Sequence, residues 1–108
     1  MDDACQIDVP ASFVALYEQR SSGRLRVPKA EILERYQLCE DLAQLVTDTA
    51  FTMLHQLGIT EAQVLERCYR GMLGEGAPVV PDEARWVVQR LAELCHWDFQ
   101  PAFWDDPL

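Results

Sequence analysis

Residues 29–57 read KAEILERYQLCEDLAQLVTDTAFTMLHQL, and the spacing of apolar residues in this stretch decides the fold. Ile32, Tyr36, Cys39, Ala43, Val46, Ala50, Met53 and Leu57 advance by alternating steps of four and three. Such a seam belongs to a helix packed lengthwise against others. Leu38, Leu42, Leu45 and Leu54 widen the apolar surface beyond one stripe. The sequence therefore predicts a long central helix covered on two sides. Opposite the seam, Glu34, Gln37, Asp41, Gln44, Asp48, Thr52 and His55 recur at helical spacing as one wet stripe. Gly58 then supplies the residue best suited to the left-handed backbone that stops a helix.

Working outward, residues 10–19 (PASFVALYEQ) read as a short helix, with Pro10 near its first turn and Phe13, Leu16 and Tyr17 on one stripe. RSSGRLRVP, residues 20–28, is a loop, and Pro28 opens the long helix. On the other side, Thr60 and Gln63 form a capping box before TEAQVLERCYRGML. Val64, Leu65, Cys68, Met72 and Leu73 make the buried face there, and GEGAP breaks the pattern. In PDEARWVVQRLAELCHW, residues 81–97, Pro81 or Asp82 starts a helix with acidic residues at the positive end of its dipole. Ala84, Val87, Val88, Leu91, Leu94 and Cys95 form its core face. RLRV (24–27) and PVV (78–80) are the two stretches able to pair as a minimal ribbon. The expected architecture is all-α, a four-helix bundle-like single domain with helices at about 10–19, 29–57, 61–73 and 82–97. An extended aromatic tail, residues 98–108, completes it.

Composition narrows the function classes. At 108 residues and 49% hydrophobic content, one core can form without metal or disulfide staples. Eighteen acidic residues against nine basic ones leave a net charge of −9, and Lys29 is the sole lysine. That balance disfavours nucleic acid, whose phosphates reward clustered Lys and Arg, and equally an anionic membrane surface. It suits a basic partner surface. MDDACQIDVP has neither the basic start nor the apolar run of a signal peptide. No apolar stretch approaches a membrane span, so a cytoplasmic location is expected, with reduced cysteines. Cys5, Cys39, Cys68 and Cys95 lie 34, 29 and 27 residues apart with no C-x-x-C pair, and the last three fall on apolar helical faces. They read as core residues.

Motifs that carry chemistry are sparse. Glu93-x-x-His96 places a carboxylate and an imidazole on one helical face, but a di-iron bundle needs two such motifs and two further glutamates. The other histidine, His55, has no glutamate three residues before it. Cys95 adjoins His96, yet neighbours in a helix point about 100° apart. Neither a G-x-S-x-G elbow nor a G-x-x-x-x-G-K-[ST] phosphate loop is present. No metal and no cofactor is expected.

Over about residues 9–97, through FVALYEQRSSGRL, LCEDLAQLVTDTA and EARWVVQRLAEL, the chain resembles small uncharacterised proteobacterial helical proteins. Some of these carry the automated label "ATPase with chaperone activity". The resemblance brings no catalytic residues with it. Two function classes remain: a non-catalytic acidic interaction module (adaptor, regulator or inhibitor), and a small metal- or redox-linked enzyme using Glu93 and His96 or a cysteine. The first is favoured, with a protein partner or a second copy of the chain as its ligand. Two segments are candidate partner-binding sites. Arg24 and Arg26 belong to a loop that gathers, with Arg20 and Lys29, four of the nine positive charges. Phe99, Phe103 and Trp104, followed by Asp105 and Asp106, make an aromatic, acidic strip. This strip is too apolar for a free tail and reads either as a strap over the protein's own core or as a docking peptide.

Overall fold

A computed structural model describes residues 9–19 and 22–98. Pro10, with its fixed φ, starts the first element: its carbonyl accepts from the Phe13 and Val14 amides at 3.0 and 3.1 Å. The element is shorter than the sequence predicts. Helix α1 covers Ala11–Val14 and tightens into a 3₁₀ turn over Ala15–Tyr17. Glu18 is extended and forms an isolated antiparallel bridge with Leu25. The Gln19 and Arg26 amides donate to the Arg24 and Tyr17 carbonyls, each at 2.7 Å. RLRV thus pairs with the chain just before it, not with PVV, because Gly23 at φ 71° reverses the backbone locally. Among the described residues there is no strand.

The long helix forms, but in two pieces. Helix α2 spans Lys29–Leu45 and α3 spans Thr47–Leu57, with Val46 between them at φ −87°, ψ 1°. Thr47 explains the break. Its hydroxyl donates to the Ala43 carbonyl at 3.0 Å, a bond back along the helix that competes with the peptide ladder and bends it. Backbone hydrogen bonds from the Val46 amide to the Leu42 carbonyl and from the Ala50 amide to the Val46 carbonyl still flank the interruption. Gly58 ends α3 at φ 65°. Helix α4, Glu61–Gly71, opens with both halves of the capping box: Gln63 N–H to Thr60 Oγ1 at 3.1 Å and Thr60 N–H to Gln63 Oε1 at 2.9 Å. It stops two residues before the expected end, and Met72 and Leu73 continue in tighter turns. Helix α5 covers Pro81–Cys95, with proline at its first position.

These helices make an all-α, bundle-like protein. Two compact units can be described along the chain, meeting within α2 between Leu38 and Cys39. In the first, fully buried Phe13 meets Tyr17 and Tyr36 with ring centroids 5.7 Å apart in each pair, and Ile32 is buried as well. In the second, α3, α4 and α5 pack pairwise. Its core includes Ala43, Ala50, Val64, Leu65, Tyr69, Val87, Val88 and Leu91, all buried.

The predicted seam holds along its middle. Cys39, Ala43 and Ala50 are completely buried, while Tyr36, Val46 and Met53 are half-buried. The second covered side holds only in part. Leu42 and Leu54 are half-buried, but Leu38 is exposed and Leu45 is 75% exposed; Leu57, at the end of the seam, is exposed too. Among the described residues only α4 and α5 follow α3, and their packing leaves the Leu45 flank open.

Candidate functional site

The open flank is the feature that stands out from the packing. Leu45, the last residue of α2, is the most exposed large hydrophobic residue among those described. Leu42, one turn before it, is half-buried. Asp41 precedes Leu45 by four residues and Asp48 follows by three, and both are exposed. Within α2, helical spacing puts Asp41 about 5–6 Å from Leu45 at Cβ, and Asp48 stands just past the Val46 break in the first turn of α3, so carboxylates precede and follow the leucine edge along the chain. From Tyr36 to Glu66 the chain contains no lysine or arginine. The flank therefore combines apolar surface with uncompensated negative charge.

One turn from this edge, Glu40 anchors α2 to α5. Its two carboxylate oxygens accept from Arg90 Nε at 2.9 Å and Arg90 Nη2 at 3.1 Å, a fork-to-fork pair. Gln44 Nε2 donates to the same carboxylate at 2.9 Å, and Arg90 Nη1 reaches Glu93 at 3.2 Å. Burial on its own would raise the Glu40 pKa. The hydrogen bonds from Arg90 and Gln44, together with the Arg90 charge, outweigh it and hold the carboxyl below its ordinary range. The Glu40 bond in turn raises the Arg90 pKa. This network is a structural clamp, with its hydrogen bonds spent inside the protein.

The Glu93–His96 spacing has a structural use as well. His96 lies beyond the helix, at φ 59°, ψ 39°, in left-handed backbone. Its amide donates to the Glu93 carbonyl at 3.1 Å, and the Trp97 amide donates to the Ala92 carbonyl at 2.9 Å. This is the Schellman pattern that closes a helix C-terminus. Trp97 is thereby tucked against Phe51 of α3, ring centroids 5.5 Å apart and nearly perpendicular. Among the described residues no three of His, Cys, Asp and Glu gather as a metal-holding group.

The described thiols are poorly placed for nucleophilic work. Burial, with a smaller contribution from Cys95, pushes the Cys68 thiol up to about 11. Burial and then the Glu61 charge raise Cys95. Thiolate is the reactive form, so both shifts act against reactivity.

The loop arginines divide. Arg26 is engaged by its own unit: its guanidinium donates to the Leu16 carbonyl and lies 5.7 Å from the centroid of the Tyr17 ring. Arg24 is exposed, and its backbone is tied to Ser22 Oγ and Gln19. Phe99, Phe103, Trp104, Asp105 and Asp106 lie outside the described residues. An open cleft of about 270 Å³ along α4 is lined by Ile59, Gln63, Glu66, Arg67 and Arg70. Glu66 pairs with Arg70 at 3.0 Å across it, so its charge is mixed.

Sequence reasoning missed the Leu45 edge because periodicity marks a residue as apolar but cannot say whether a partner helix exists to cover it. Comparison with protein-family models, curated proteins and solved structures returns no match. Among the described residues, no helix is long and apolar enough to cross a membrane.

Proposed function

We propose that this protein is a non-catalytic, acidic helical interaction module acting in the cytoplasm as an adaptor, regulator or inhibitor. The observation that supports this reading is the flank of α2 around Leu45, 75% exposed in a helix whose Cys39 and Ala43 are fully buried. A large side chain left in water at a helix surface gains by association, and clustered apolar surface commonly marks a contact. The chemistry of the described side chains supports the same reading. Glu93 is held by Arg90, His96 closes a helix, and the raised Cys68 and Cys95 thiols are weak nucleophiles. Phe99, Phe103 and Trp104, with Asp105 and Asp106, add aromatic anchors to the candidate contact residues, and Arg24 adds an exposed cation.

Affinity capture from source lysate with the full chain and a Leu45→Ser variant tests the reading, together with metal analysis of the purified protein. A partner retained by the parent chain and lost by the variant is the expected outcome. Stoichiometric bound metal, with no protein recovered on either bait, would move the assignment to the enzyme alternative.

A further inference from the structure

We propose that the Leu42–Leu45 edge, bracketed by Asp41 and Asp48, takes a basic amphipathic helix from another protein: apolar anchors one turn apart, flanked by Lys or Arg. This deepens the interaction reading above and rests on it. Leu42 and Leu45 sit three residues apart, so they present adjacent side chains on one helix surface, which is half of a helix–helix seam. In paired helices the residues beside the seam select the partner by charge. Here those residues are Asp41 and Asp48, both exposed.

Nearby positive charge does not cancel them. The chain holds no lysine or arginine from Tyr36 to Glu66, and Arg90 is already committed to Glu40 and Glu93. The complementary surface is consequently basic. A second copy of this chain is a poor occupant, since the same edge would bring its own carboxylates face to face, and like charges across an interface oppose association. The net charge of −9 adds to that repulsion and steers a cationic partner inward at low salt.

The test is a binding titration of the full chain against a designed Leu/Lys amphipathic helical peptide of about 20 residues. A peptide of the same composition with its apolar pattern scrambled serves as control. Leu45→Ser, and Asp41→Lys with Asp48→Lys, should each weaken binding by about tenfold, because a central apolar anchor and its charged flanks each contribute on that scale. Both variants alter exposed side chains; Leu45→Ser should melt with the parent chain, and the lysine pair slightly below it, because Asp48 lies in the first turn of α3. The scrambled peptide should bind at least as weakly as the variants. Parent-like binding by either variant, or equal binding of the scrambled peptide, overturns the proposal.

A photo-crosslinker at position 45 identifies the occupant. Crosslinking to the patterned peptide supports the proposal, whereas crosslinking to a second copy or to the chain's own residues 99–108 overturns it. In lysate, capture at position 45 of an acidic or neutral segment also overturns it while leaving the broader interaction reading intact. That reading fails on the separate metal and capture outcomes above.

Discussion

At the scale of single residues, the chain shows which local signals can be read without a structure. Thr60 and Gln63 announce a capping box and form one, and Gly58 takes the left-handed backbone its position after α3 requires. Both signals depend on residues whose chemistry has few other uses, so they are legible. His96 is not. It adopts φ 59° although it has a Cβ, because Trp97 and the Ala92 and Glu93 carbonyls demand the Schellman turn there. A non-glycine residue in this conformation carries strain of about 1 kcal/mol. His96→Gly removes it at some cost in unfolded-state entropy, leaving a net gain of about 0.5 kcal/mol. Thermal melts should show His96→Gly above the parent and His96→Ala close to it. A glycine variant that melts lower would mean that the imidazole itself makes a stabilising contact.

At the scale of elements, periodicity gave the helices and their buried faces but not every boundary. Of the expected core positions along α5, Ala84, Val87, Val88, Leu91 and Cys95 are buried and Leu94 is half-buried, while Glu83, Trp86 and Ala92 join the buried set. Glu83 illustrates what spacing cannot reveal: its carboxylate turns back to accept from the Val80 amide at 3.1 Å, so a charged residue is 1% exposed at a helix N-terminus. The break at Val46 has a local cause visible in the composition of Val46-Thr47-Asp48-Thr49, whose β-branched and short polar residues weaken helix propensity. The apolar seam runs straight through it, which masks the interruption. Ala50, just beyond, is completely buried. Replacing it with tryptophan overpacks the interior at a cost of about 1–3 kcal/mol. The melting temperature should fall by roughly 4–8 °C per kcal/mol lost for a domain of this size. An Ala50→Trp protein that melts like the parent would show that α3 is not packed as described.

At the scale of the whole molecule, acidity sets how stability responds to pH, and the Glu40–Arg90 clamp makes the response specific. The pair joins α2 to α5 across fifty positions of sequence, a link no local pattern could disclose. Glu40 titrates below its ordinary value of 4.5 in the folded protein, because the Arg90 and Gln44 bonds outweigh burial. A carboxyl whose folded pKa is depressed stabilises the fold fully above its unfolded value, and that contribution is lost as pH falls through the folded pKa. Glu40→Gln keeps the shape and the burial but removes the charge-assisted half of the clamp. At neutral pH the variant should be less stable by about 1–2 kcal/mol, the scale of a partly solvated hydrogen-bonded ion pair. Once the pH has fallen through that depressed folded pKa the parent's Glu40 is itself protonated, so the two proteins should converge there. Urea midpoints measured from neutral pH into acid check both limbs. A gap between parent and variant that stays constant through acid would place the effect in side-chain packing rather than in the charge of Glu40.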